Sequence, residues 1–191
     1  MKNIFLLIVF VSSLINAQET QFSFDNLKGM TDFVITPVEG KNSSEIYKKA
    51  LEWIKMTYKN PDKVILSTIE NEYIRFEGSS ASFYSVGVFG DNYRNAKYQI
   101  EISIKDNKYK FDIISLQVYW DSTSRSAGGW SEVKDFNSNS SKEYLEKNIF
   151  KKDGQFRSYY KNYPKVPEYF NRLNKSFYES ILGLGSKNND W

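Results

Sequence analysis

Residues 98–113 carry the pattern that most limits the fold of this chain. Apolar and polar residues alternate strictly from Tyr98 to Ile104, which is typical of an antiparallel strand with one buried and one solvated face. Asp106-Asn107 predicts a tight turn, after which Tyr109, Phe111 and Ile113 continue the alternation. The parity then slips, so a β-bulge is expected near Ser115, before an inward row of Leu116, Val118 and Trp120.

Two amphipathic helices flank the strands. Asn42 and Glu45 form a capping-box pattern ahead of a helical periodicity that ends at Asn60-Pro61. A second helix is expected from about Pro167 until Gly183. Shorter β-branched and aromatic runs predict further strands, including two separate ones at 73–77 and 82–89. The predicted fold class is therefore α+β, an antiparallel sheet with a long N-terminal helix and a C-terminal helix packed on it.

The chain has 191 residues with no His and no Cys, which excludes several classes of site. A Ser-His-Asp triad, a Cys nucleophile, a disulfide and the usual zinc sites are all ruled out. The formal net charge of +3 is too small to predict a nucleic-acid interface. No cofactor or metal motif is present, so catalytic residues, metal ligands and cofactors are all expected to be none.

The N-terminus predicts export. Lys2 precedes an apolar run from Ile4 to Val11, and Ala17 stands where polar sequence begins. These are the parts of a secretory signal peptide, with cleavage expected near Ala17. The alternative is a membrane anchor, but the run is shorter than the ~20 residues needed to span a bilayer. We therefore expect a signal peptide at 1–17, a single domain at 18–191 without a transmembrane segment, and a secreted or periplasmic location.

One segment carries a family resemblance. Tyr47, Ala50 and Trp53 on the first helix, followed by Asn60-Pro61 and a strand at Val64-Ile65, resemble a family of secreted bacterial domains of unknown function with a TBP-like fold. The resemblance covers residues 33–120 and leaves 121–191 as a C-terminal loop and helix region. It implies a TBP-like fold and secretion, and it implies no activity and no functional residue.

Three residues are the candidate binding site: Tyr119, Arg125 and Trp130. Tyr119 has the parity opposite to the inward row, and Trp130 follows Gly128-Gly129 in an expected loop. An aromatic ring and a fixed positive charge suit a glycan or peptide ligand. The alternative is that Trp130 fills a gap under the sheet. For Trp53, packing of the helix on the sheet is expected rather than ligand stacking.

Three functional hypotheses remain at the level of the sequence. The first is an exported, non-enzymatic domain that binds a protein or cell-envelope partner through the open face of its sheet. The second is a hydrolase that acts on an extracellular polymer through carboxylates. The third is a structural, self-associating domain, which would form a homo-oligomer. An exposed apolar sheet face would favour the first or third hypothesis, and a carboxylate pair in a cleft would favour the second.

Overall fold

A computed structural model describes residues 21–90, 92–124, 126–136 and 140–184. The expected signal peptide and Arg125 lie outside these residues. The eight strands are β1 (Phe24–Asp25), β2 (Gly29–Met30), β3 (Phe33–Pro37), β4 (Ile65–Ile69), β5 (Tyr73–Val86), β6 (Asn92–Lys105), β7 (Lys108–Trp120) and β8 (Gly129–Glu132). The four helices are α1 (Ser43–Thr57), α2 (Pro61–Val64), α3 (Lys142–Asn148) and α4 (Lys165–Ile181).

The main sheet is antiparallel, with strand order β3-β7-β6-β5-β4 and with β8 beside the second half of β7. The hairpin of β6 and β7 turns at Asp106-Asn107, where Asn107 has a φ of 63°. The predicted bulge is confirmed one residue earlier than expected, because Gln99 pairs with Ser115 while Ile100 pairs with Ile113, so that Ile114 is the extra residue.

One strand prediction is wrong. Segments 73–77 and 82–89 are not separate strands, because β5 runs without interruption from Tyr73 to Val86. Gly78 does not break the strand but lies under the ring of Tyr98 on β6, and a Cβ at this position would lie 2.5 Å from that ring. The register shifts further along, between Ser80 and Tyr84, where Ser82 has a φ of 52°. The chain therefore uses a bulge, rather than a break, to bend the long strand.

Both long helices pack on one face of the sheet. The predicted capping box at the start of α1 is confirmed, since the Asn42 side chain accepts from the Glu45 amide at 2.9 Å and Glu45 accepts in return from the Asn42 amide at 3.0 Å. The apolar side of α1 is buried through Ile46, Ala50, Trp53 and Ile54. Trp53 is 3% exposed and donates its indole N–H to Ser176 on α4, so its expected role in packing is confirmed.

Three tyrosines connect the sheet to the helices through their hydroxyl groups. The Tyr98 hydroxyl lies 2.7 Å from that of Tyr169 on α4 and 3.2 Å from that of Tyr58 at the end of α1. Burial raises the pKa of Tyr98 far above its ordinary value, because an ionised phenolate would lose its hydration there. The Tyr98 hydroxyl is hydrogen-bonded to each of the other two, which lets these polar atoms lie inside an aromatic core.

The segment before β3 is fastened to α4. Asn171 accepts from the Phe22 amide at 2.8 Å and donates to the Phe22 carbonyl at 2.9 Å, so its carboxamide satisfies both backbone groups of one residue. Phe22 itself is buried against Phe111 and Phe170. β1 and β2 then form a separate two-stranded sheet rather than an edge of the main one.

The C-terminal region forms a second aromatic cluster, on the side of β1 and β2. The N-cap of α3 is Ser141. Asp135 accepts hydrogen bonds from Tyr144 at 2.6 Å and from Tyr163 at 2.7 Å. The bond to Asp135 raises the pKa of Tyr144 to about 12, because it stabilises the neutral phenol. Helix α4 then begins at Lys165, with Pro167 in its first turn, and is followed by Gly183 at a φ of 70°.

Candidate binding surface

The second face of the main sheet carries polar side chains and faces solvent. On β6 the residues of this face are Lys97, Gln99, Glu101 and Ser103; all are half-buried, whereas the residues between them are buried. Helices α1 and α4 lie on the opposite face, against Phe76, Tyr98 and Tyr109. The sheet therefore presents an open face, as the alternation in the sequence predicts.

Much of the charge on the open face is neutralised within it. Arg75 donates to Glu101 on the neighbouring strand at 2.7 Å, and this hydrogen bond raises the pKa of the guanidinium. Lys110 pairs with Asp112 along β7. These ion pairs make the middle of the face hydrophilic. Strands of the same sheet also carry exposed apolar side chains: Phe33, Ile69 and Ile114, at 43%, 49% and 42% exposure.

Tyr119 and Trp130 form an exposed aromatic pair at the edge of this face. They are register partners on β7 and β8, and their ring centroids lie 5.4 Å apart at an interplanar angle of 67°. The two residues are 40% and 41% exposed. The ammonium of Lys97 on β6 lies 4.7 Å from the centroid of the Trp130 ring, which is within the range of a cation–π contact. We call Tyr119 and Trp130 the aromatic pair.

The expectation that Trp130 lies in a loop is wrong, because it lies on β8. Gly128 and Gly129 have φ values of 72° and 120°, a region that side chains with a Cβ rarely adopt. A Cβ on Gly128 would also lie 2.6 Å from the Trp120 carbonyl oxygen. The two glycines therefore let the chain turn tightly after β7 and return as β8, which places Trp130 opposite Tyr119. Both predicted aromatic residues are brought together.

Lys97 is the residue that sequence reasoning missed. The predicted strand begins at Tyr98, so Lys97, the residue before it, is assigned to neither face of the sheet. Extending the alternation by one position would have placed Lys97 on the solvated side, although its proximity to Trp130 depends on the pairing of β7 with β8.

Trp120 has a different environment from the one expected for the inward row. It is 37% exposed, beyond the end of the core, and the guanidinium carbon of Arg94 lies 4.7 Å from its ring centroid. Arg94 also lies 3.8 Å from the carboxylate of Asp121. The indole therefore packs against a cation on the helical side of the sheet and does not belong to the aromatic pair.

Within the described ranges, no group of three or more acidic side chains is arranged to hold a metal ion. None of the helices in these ranges is both long and apolar enough to cross a bilayer.

The comparisons with known proteins agree with the fold. Residues 34–119 match the family described as a domain of unknown function (DUF4468) with TBP-like fold. A crystal structure of a DUF4468 family protein from Bacteroides ovatus is similar at a TM-score of 0.57 and 12% identity, over 93% of this chain and 95% of that one. No curated protein matches the sequence.

A TBP-like protein from Parabacteroides distasonis is similar at a TM-score of 0.50 and 15% identity, over 78% of this chain and 90% of that one. At these identities the likeness concerns the fold alone. The α+β class, the TBP-like fold and the family resemblance are confirmed, and the function of the family is unknown.

Proposed function

We propose that this chain, whose residues 34–119 match the DUF4468 family with a TBP-like fold, is an exported, non-enzymatic domain that binds a cell-envelope or protein partner. The observation that carries the proposal is the aromatic pair on the open face of the sheet. Two large rings at 40% and 41% exposure, held by strand pairing, offer a rigid contact surface whose ordering costs little entropy on binding.

Rigidity and charge support binding over the alternatives. The ladder between β7 and β8 holds Tyr119 and Trp130 opposite each other, and Lys97 adds a positive charge beside them. Arg125 would add a second positive charge in the connection between the two strands. The carboxylates Glu101 and Asp112 on the open face are engaged by cations rather than poised as an acid–base pair.

The binding proposal is tested by alanine variants of the four residues assigned to the site. Trp130→Ala, Tyr119→Ala, Lys97→Ala and Arg125→Ala are compared with the parent protein for retention on cell-envelope material from the native host. Tyr159→Ala is the matched control, since Tyr159 is 43% exposed and has one ring contact, with Tyr160, away from the open face.

We expect Trp130→Ala to lower retention about tenfold, because aromatic residues dominate interfaces of this kind, and Tyr159→Ala to leave it unchanged. Equal retention by the parent and by folded Trp130→Ala protein would place the binding site elsewhere.

Export of the protein is tested separately, by determining where its N-terminus lies in the native host. Mass spectrometry of the protein from its native host is expected to show loss of the residues up to Ala17. An intact Met1 on protein recovered from the cytoplasm would contradict it.

A further inference from the structure

A groove lies at the free edge of β5. Strand β4 pairs with β5 only from Tyr73 to Phe76, although β5 continues to Val86. The reason is local: the chain enters β4 directly from α2 (Pro61–Val64), whose helical residues do not extend the ladder. Helix α2 and the end of α1 therefore stand apart from Glu77–Ser79, and a groove of about 540 Å³ remains between them.

The backbone along this groove is unpaired on one side. Among the described residues, no strand or loop donates a backbone hydrogen bond to the outer edge of Glu77–Ser79 or accepts one from it. Every second residue of such an edge turns its N–H and C=O outward, so the edge is a template for one more strand.

The groove is rich in positive charge. Lys59, Lys63 and Lys97 line it, and none of the three makes an ion pair within the described residues. The single carboxylate in its lining is Glu77, which accepts a hydrogen bond from Gln99 at 3.3 Å. We call this site the lysine groove. Its charge complements a ligand that carries several carboxylates.

We propose that the lysine groove binds an acidic peptide segment in extended conformation, which adds to β5 along Glu77–Ser79. Main-chain hydrogen bonds supply the affinity in this mode, and alternate side chains of the added strand supply the specificity. Acidic side chains on one face of the peptide reach Lys97, and those near the helices reach Lys59 and Lys63. An acidic glycan fits less well, because the one aromatic residue in the groove lining, Tyr58, has its ring packed against Trp53 and Phe76 rather than free to stack on a sugar.

The test uses nuclear magnetic resonance of ¹⁵N-labelled protein. The probe is a short acetylated peptide of alternating Glu and Val, and we expect it to shift the amide signals of Gly78 and Ser79. The same peptide with Lys in place of Glu is expected to cause no shift, since its charges repel the groove. A version with Pro in place of Val, which removes the N–H groups at alternate positions, is expected to bind at least about tenfold more weakly.

Charge-reversal variants complete the experiment. Lys59→Glu/Lys63→Glu is expected to weaken binding of the Glu-Val peptide about tenfold or more. The control Lys48→Glu/Lys55→Glu reverses two exposed lysines elsewhere on α1 and is expected to change it little. Both changes leave the core untouched, so a loss of binding is not a loss of fold.

Any one of four results would overturn the inference. Two concern the peptides: no shift of the Gly78 or Ser79 amide signals with the Glu-Val peptide, or binding of the proline peptide as tight as that of the Glu-Val peptide. The other two are an equal loss of binding in Lys59→Glu/Lys63→Glu and Lys48→Glu/Lys55→Glu, and shifts at this edge with oligogalacturonate but not with the Glu-Val peptide. Trp130→Ala is expected to keep peptide binding, because Trp130 is outside the groove lining. The two sites share Lys97. Trp130→Ala and Lys59→Glu/Lys63→Glu each change one site alone, so they test the two proposals separately.

Discussion

Replacement of Gly78 by alanine tests how tightly the sheet packs against the helices. The new Cβ would lie 2.5 Å from the Cε2, Cζ and Oη atoms of Tyr98, so the ring must move by about 1 Å to reach van der Waals distance. That movement strains the hydroxyl contacts of Tyr98 with Tyr58 and Tyr169, each of which contributes about 0.5–1.5 kcal/mol.

Overpacking of a filled core costs a further ~1–3 kcal/mol. We therefore expect Gly78→Ala to lower the free energy of unfolding by about 2–4 kcal/mol, although alanine is otherwise favoured over glycine in a strand by ~0.5–1 kcal/mol. For a domain of this size the melting temperature falls by about 4–16 °C.

The assay is thermal and chemical denaturation of the parent protein and four variants: Gly78→Ala, Ser79→Ala, Tyr98→Leu and the Gly78→Ala/Tyr98→Leu double variant. Ser79→Ala, one position along the same strand and exposed, is the control and is expected to change stability by less than about 0.5 kcal/mol. In the Tyr98→Leu background the obstructing ring end is gone, so Gly78→Ala is expected to cost less than about 1 kcal/mol there, a coupling that a double-mutant cycle measures directly. If Gly78→Ala costs the same with and without the Tyr98 ring, the packing argument is wrong.

Two further predictions concern a buried helix face and the ionisation of tyrosines. Ala50→Asp places an unpaired carboxylate on the fully buried side of α1 and is expected to lower the free energy of unfolding by about 3 kcal/mol or more. Lys48→Asp, on the exposed side, is the control and is expected to lower it by less than about 0.5 kcal/mol. Equal losses of unfolding free energy in denaturant melts would mean that the wrong side of the helix had been identified. The raised folded-state pKa values of Tyr98 and Tyr144 stabilise the protein at all pH values below about 10, the ordinary tyrosine pKa, and this stabilisation is lost as the pH rises above it. We expect tyrosinate absorbance and loss of circular dichroism to rise together in one cooperative alkaline transition, and a gradual titration of all tyrosines with the dichroism intact would refute this.

The parts of the fold that local chemistry specifies could be predicted from the sequence. The capping box of Asn42 and Glu45, the alternation through Ile100 and the bulge beside Ser115 each depend on residues within a few positions of one another. Such signals need no knowledge of what lies across the sheet, because helix caps and strand parity are properties of a short segment.

The site could be predicted only in part, because its geometry comes from distant pairing. Tyr119 was expected on the solvated face from its parity alone. The strand that carries Trp130 has only four residues and follows two glycines, so its local pattern resembles a loop. Only the ladder between β7 and β8 places the ring beside Tyr119 and Lys97. The free outer edge of β5 could not be predicted from the sequence either, because it depends on where β4 stops pairing with β5.

The hold of Asn171 on Phe22 has a consequence for the order in which the chain acquires its structure. The two residues are 149 positions apart, and the carboxamide belongs to the last helix that the structure describes. A ribosome or a translocation channel releases Phe22 early and α4 late, so the buried place of Phe22 does not exist until nearly the whole domain has emerged. We therefore expect the residues around Phe22 to form their native contacts late. Closing the long loop between Phe22 and Asn171 is a late step of folding.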